Sequence, residues 1–224
     1  MLFGATAAAD AVADPGGPTA RLQRELPGLV FSAHAAAEWA GQPALLQRCL
    51  DHIAAGFDFN ILNQFRDDHV KAPEEWTPIP GALEAVARLN HAGWHVVLAT
   101  NQSGIGRGMI DMAAVNAVHA HMMRSLQALG GRIDAVFFCP HTPEDGCDCR
   151  KPLPGALLQA ARDHDIDLAA SHMVGDRWRD VLAGQAAGCR TYFVDYAYVE
   201  PQPQQADHRV ASLAQAADII LEKS

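Results

Sequence analysis

Between residues 139 and 149 the chain reads Cys-Pro-His-Thr-Pro-Glu-Asp-Gly-Cys-Asp-Cys, two pairs of soft ligands with one residue inside each pair. Thiolates and an imidazole in a Cys₃His set, here Cys139, His141, Cys147 and Cys149, suit tetrahedral zinc. The set leaves no ligand position open, so the expected role is structural. Its linker is polar and turn-forming, and a metal would replace the apolar core that such a loop lacks. Arg150-Lys151 follows at once. A fixed loop would aim these two cations, and a cation beside a transferring phosphoryl group stabilises its charge. A solvated basic pair is the alternative.

Two more segments carry polar chemistry directly after apolar runs. Thr100 to Gly108 reads TNQSGIGRG. A hydroxyl and successive backbone N–H groups at a strand end can cradle phosphate oxygens. Gly175-Asp176 follows His172-Met173-Val174. A carboxylate at a strand end is a natural ligand for Mg²⁺, which prefers oxygen. Asp176 could equally cap a helix, which does not exclude a metal. Asp180 lies one helical turn later and could orient the site from behind it.

These residues need elements to position them. Ala82 to His91 reads as an amphipathic helix closed by Gly93. Trp94 to Thr100, Ile133 to Phe138, His172 to Val174 and Thr191 to Val194 read as short buried strands, and Ile219 to Leu221 as a last one. Asp111 can cap a helix running to Leu129, and Pro154 to His164 and Arg179 to Ala187 read as further helices. Strands alternating with helices predict an α/β fold with a parallel sheet covered on both faces. Ligands of such sheets bind beyond the carboxyl ends of the strands, where all three polar segments fall.

The 224 residues suffice for one substantial α/β domain with an extension. Residues 1–20 are rich in Ala, Gly and Pro and predict little order, and residues 36–55 read as helical. The expected division is thus an N-terminal extension over 1–55 and a catalytic-type domain over 56–224. A net charge of −9 with no basic cluster argues against nucleic acid or an anionic membrane as partner. No apolar run is long enough to span a membrane, and the first basic residue, Arg21, comes too late for a secretory leader. Five cysteines, three of them crowded together, indicate metal in a reducing cytoplasm before disulfides. Cys49 and Cys189 read as buried thiols. Oligomeric state is not encoded in any pattern here.

TNQSGIGRG (100–108), CPH…CDCRKP (139–152) and MVGDRWRD (173–180) together resemble the haloacid-dehalogenase superfamily, in its zinc-containing branch of heptose-bisphosphate and histidinol-phosphate phosphatases. The stretch 67–89 resembles the heptose-bisphosphate members more. The resemblance implies a Rossmann-like three-layer sandwich and a Mg²⁺-dependent phosphatase of a small sugar phosphate, the 7-phosphate of a heptose 1,7-bisphosphate, in lipopolysaccharide precursor supply. It implies that Thr100 holds the phosphoryl group and that Asn101, Gln102 and Ser103 shape the pocket. Arg150 and Lys151 would bind the phosphate, Asp176 Mg²⁺, and Arg177 would lie beside it.

The family mechanism attacks phosphorus with an aspartate, and a second aspartate two residues on protonates the leaving group. Here the corresponding place reads Gly56-Phe57-Asp58-Phe59-Asn60-Ile61-Leu62-Asn63. Without a gap, Phe57 and Phe59 stand at the two aspartate positions. With one residue missing, Asp58 stands at the nucleophile position, where it would also touch Mg²⁺, and Asn60 at the acid/base position. Asp67 and Asp68 are nearby carboxylates to which the family pattern gives no such role. The alternatives are a non-catalytic relative and a histidinol-phosphate phosphatase.

Overall fold

The computed structural model describes residues 53–64, 66 and 69–222. The expectations for residues 1–52, and for Asp67 and Asp68, lie outside the described residues.

Six parallel strands form one sheet in the order β3-β2-β1-β4-β5-β6, with β1 Ile53–Phe57, β2 His95–Asn101, β3 Ala135–Cys139, β4 His172–Gly175, β5 Arg190–Val194 and β6 His208–Val210. Residues 53–55 close the stretch that reads as a helix, but they open the central strand. Ala and Gly are weak strand formers, yet pairing with β2 on one side and β4 on the other satisfies the backbone from both edges. Tertiary pairing here overrides local propensity. Between Ala54 and Phe57 the strand advances three residues while β2 advances two, from Val96 to Leu98. Such a bulge bends a strand and re-aims the residues at its end.

Helices cover both faces: α1 Ala82–His91, α2 Ser103–Gly106, α3 Met112–Gln127, α4 Gly155–His164, α5 Trp178–Ala187 and α6 Leu213–Glu222. Successive β2 residues alternate between two cores, as the pleat requires. Val96 and Leu98 pack with Val86, Leu89, Met122 and Ile220 from α1, α3 and α6. Val97 and Ala99 pack with Leu157, Met173 and Ala183 on the side of α4 and α5. Asp111 caps α3 as its type suggests, its Oδ1 accepting from the Ala114 N–H at 2.7 Å. No helix among the described residues is long and apolar enough to cross a membrane.

The expected last strand at Ile219–Leu221 is instead part of α6, and the last strand is His208–Val210. Leu213, Ala216, Ala217 and Ile220 are buried at spacings of three and four, a helical stripe that the short apolar run concealed.

Ile220→Ala is expected to cost about 2–4 kcal/mol in urea unfolding, because a side chain 1% exposed leaves a cavity. Asp218→Ala, which removes an exposed ion pair with Arg88, is expected to cost under about 1 kcal/mol. In a strand Ile219 and Leu221 would face the core, and the Ile220 variant would be the mild one.

Candidate active site

The chain runs outward from β1 to β2 and β3, then returns to the other side of β1 as β4. The gap beyond β1 and β4 is therefore a topological switch point, where α/β sheets open a crevice. Asp58 follows β1 directly, Asp176 follows β4, and Thr100 and Asn101 end β2. Asp58 is 5% exposed, and its Oδ1 accepts from the Asn60 N–H at 2.8 Å, closing a 3₁₀ turn over Phe59–Ile61. Both Phe59, from the alignment without a gap, and Asn60, from the alignment with a missing residue, stand just past the end of β1. Phe59 packs in the core beside His119, with ring centroids 6.0 Å apart, and it also lines a cavity of about 220 Å³ together with Asn60 and His119.

Lys151 is the cation at the centre of this cluster. Its Nζ pairs with Asp58 Oδ2, with Asp180 Oδ1 at 2.7 Å, and donates to the Ala99 carbonyl at 2.8 Å. Burial works against the ammonium, but Asp180 and Asp58 outweigh it and hold its pKa above the ordinary value. Its backbone is fixed too: the Asn101 amide donates to Lys151 O and accepts from Lys151 N–H, both at 3.1 Å. Asp180 also accepts from the Arg177 N–H at 3.0 Å. It can approach this closely because residue 175 is Gly; a Cβ there would collide with the Asp180 side chain.

Asp176 is 1% exposed, and neither of its oxygens accepts a hydrogen bond. Arg177 Nε stands 3.5 Å from Oδ2. Burial, then the charges of Asp58 and Asp180, push its carboxyl up to about 7, against the pull of Arg177 and Lys151. A buried carboxylate beside two more carboxylates is a donor set that fits a hard divalent cation. Such an ion would be held by Asp176 and Asp58 and would offset the repulsion between carboxylates and an incoming phosphate.

The cavity wall contains Asn60, Thr100, Asn101, Gln102 and Arg177, with Arg66, His69 and His119 also facing it. Ser103 starts α2 instead and is not among the described lining residues. The loop from Gln102 to Gly106 is tied to the end of β3: Gln102 N–H donates to Cys139 O at 2.7 Å and Gly106 N–H to Pro140 O at 3.0 Å. A side chain at 106 would strike that same Pro140 oxygen, 2.6 Å away.

The four ligand-type residues after β3 do converge. Cys139 Sγ lies 3.5 Å from Cys147 Sγ and 3.7 Å from His141 Nδ1, and Cys149 Sγ lies 3.5 Å from Cys147 Sγ and 3.3 Å from His141 Nδ1. Metal–sulfur bonds of about 2.3 Å in a tetrahedron give edges of roughly 3.8 Å, so the quartet fits such an ion. Without a counter-charge, burial followed by the neighbouring thiols pushes the Cys149 thiol up to about 12, a cost that a cation removes. Arg150 stays with this loop, its Nη1 donating to His141 O at 3.0 Å, and only Lys151 reaches the carboxylates. The spacing of the sequence could not show that two adjacent cations part in this way.

A HAD-hydrolase-like family profile matches residues 148–216. The D-glycero-β-D-manno-heptose-1,7-bisphosphate 7-phosphatase of Bordetella bronchiseptica is 53% identical over 134 residues, covering 60% of this chain and 75% of that protein. The Neisseria meningitidis serogroup A 7-phosphatase is 38% identical over 164 residues, covering 73% of this chain and 88% of its own. The crystal structure of the B. bronchiseptica D,D-heptose 1,7-bisphosphate phosphatase, complexed with magnesium and phosphate, superposes with a TM-score of 0.70 at 42% identity, over 77% of this chain and 99% of that one. The chain belongs to the haloacid-dehalogenase-like hydrolases. Within them its relatives are these heptose-bisphosphate 7-phosphatases, and the parallel three-layer sandwich expected from the motifs is the fold it adopts.

In this hydrolase fold Lys151 neutralises two buried carboxylates, so its removal strands both. Lys151→Met is expected to cost about 3–5 kcal/mol in urea unfolding. The double variant Lys151→Met/Asp180→Asn should be more stable than Lys151→Met alone, because one stranded charge is gone. Strict additivity of the two losses would show that the pair does not interact.

Proposed function

We propose that the chain hydrolyses a phosphoric monoester, the 7-phosphate of D-glycero-β-D-manno-heptose 1,7-bisphosphate, with Mg²⁺ at Asp58 and Asp176 and zinc in the Cys139-His141-Cys147-Cys149 loop. The observation that carries this reading is the position of Asp58: directly past the central strand and joined through Lys151 to Asp180, on the carboxyl side of the sheet where Asp176 also lies. Its support from relatives is the 53% identity to a heptose-bisphosphate 7-phosphatase. Such phosphorylated sugars and a thiol-rich metal loop belong in the reducing cytoplasm, where the product would enter lipopolysaccharide precursor supply.

In the reaction Asp58 attacks phosphorus, an acyl phosphate forms on its carboxylate, and the P–O bond to the sugar breaks. Lys151 holds Asp58 in place, and Thr100 and Arg177 bind the phosphoryl oxygens. The leaving alkoxide takes a proton from water in the cavity, because Asn60 offers a carboxamide and no acidic proton. A second water then attacks the acyl phosphate, releasing inorganic phosphate and restoring Asp58. Asn60 also favours a second reading, a relative that binds phosphate without turning it over.

Phosphate release from heptose 1,7-bisphosphate is expected to require Mg²⁺, to exceed that from histidinol phosphate, and to vanish in Asp58→Asn and Asp176→Asn. Turnover surviving in Asp58→Asn would remove it as nucleophile, and phosphate binding with no release under any condition is the signature of the second reading.

A positioned general acid contributes about 10²–10⁴-fold. Asn60→Asp is accordingly expected to raise kcat by at least about a hundredfold, with an alkaline limb appearing in the pH–rate profile as the introduced carboxyl loses the proton it must donate. An unchanged kcat would mean that residue 60 does not face the leaving group.

A further inference from the structure

Arg177 belongs to two walls at once. It faces the reaction cavity beside Thr100 and Asn101, and it faces a second, smaller recess formed by the segment after β5. That segment grips it. Glu200 Oε1 lies 2.6 Å from Arg177 Nη1, and the Tyr198 ring lies under the guanidinium, with Cζ 3.9 Å from its centroid. Arg177 Nε, on the remaining side, is the group that stands against Asp176. The side chain of Arg177 is 11% exposed, while that of Glu200 is 38% exposed.

The gripping segment is itself held. Asp195 N–H donates to Val210 O at 2.9 Å, and its carboxylate pairs with Arg209 at 2.7 Å and accepts from Ala197 N–H at 2.9 Å. Ala197 stands at φ 56°, a left-handed conformation that an L-residue adopts only where its surroundings enforce it. The turn sends Tyr196 and Tyr198 back together, ring centroids 5.8 Å apart and ring planes at 66°, and Glu200 N–H donates to Tyr198 O at 2.9 Å. Arg179 Nη2 stands 4.0 Å from the other Glu200 oxygen.

We propose that Glu200 and Tyr198 are positioning residues, which hold the Arg177 guanidinium at the cavity wall in the orientation that binds the anionic group of the substrate. The proposal deepens the phosphatase reading and rests on it for the role of Arg177. The physical reason is order. A free arginine must give up several rotamers to meet an anion, at a cost that weakens binding by about five-fold or more. A guanidinium already fixed at its edge by a carboxylate and on its face by a ring has met that cost during folding. The charge of Glu200 acts in the opposite sense, since it competes for the same cation. Its exposure to solvent screens that effect, so positioning outweighs repulsion.

The sign therefore decides the matter, and inorganic phosphate in the presence of Mg²⁺ is the probe, titrated calorimetrically against the full chain. Glu200→Ala is expected to weaken phosphate binding about five-fold, and Glu200→Asp to recover most of the loss. In the background of Arg177→Ala, Glu200→Ala is expected to have no further effect, because Glu200 works only through that side chain. Phosphate binding as tight as or tighter than in the original chain would overturn the proposal, as would losses that simply add. A lowered melting temperature with unchanged phosphate affinity would overturn it too, by reducing Glu200 to a structural brace. Phosphate affinity left unchanged by Arg177→Ala would instead remove Arg177 from the site, and the proposal with it. Failure of the original chain to bind phosphate at all would defeat the phosphatase reading itself.

Discussion

A lysine ammonium at 3% exposure can exist only if its charge is met, and Lys151 is met by Asp58, Asp180 and the Ala99 carbonyl. Taking one such ion out of water costs several kcal/mol, which only close, well-directed partners offset. The arrangement therefore works as a constraint on four elements. Asp58 brings in the end of β1, Ala99 belongs to β2, Asp180 to α5, and Lys151 to the segment that leaves the Cys/His loop. If any one of them moves, a buried charge loses its partner. Alternatives to this arrangement are electrostatically expensive.

The Cys/His loop enters this constraint from outside. Only Arg150 separates Cys149, the last of the quartet, from Lys151, and Arg150 bonds back to the loop through the His141 carbonyl. The Asn101 amide then takes both backbone groups of Lys151. A tetrahedral ion in the quartet would thus fix where the lysine backbone starts, and Asn101 where it passes β2, leaving its side chain one direction in which to extend. The polar pieces of the sequence form one continuous line from the thiolates to the nucleophile position.

Much of this was legible in the chain, for identifiable reasons. The quartet, Thr100, Asp176 and the helices from Ala82 and Asp111 were readable because spacing and capping chemistry are local. The central strand was not, because Ile53–Phe57 owes its conformation to neighbours on both sides. The last helix was misread as a strand because three consecutive apolar residues carry no period of their own. The partners of Lys151 were also out of reach: Asp58 lies 93 positions away, and no local pattern encodes that distance. Tyr198 and Glu200 carried a weaker signal, an aromatic and an acid alternating in the segment after β5, whose meaning depends on an arginine on another element.

One asymmetry in the site arises from the same constraint. Asp58 is buried, paired and bonded to the turn beyond it, so substitution there disturbs the whole charge cluster. Asn60 is exposed to the cavity, and only its backbone N–H is used by the turn. Its side chain is not one of the groups that hold Lys151, which are Asp58, Asp180 and the Ala99 carbonyl. The structure therefore separates the placement of Asp58, which folding enforces, from the choice of side chain at residue 60, which it does not. A chain can depart from its family at the second position and keep the architecture of the first. Under the proposed phosphatase reading, the identity of residue 60 bears on catalytic rate, while the cluster around Lys151 bears on stability as much as on chemistry.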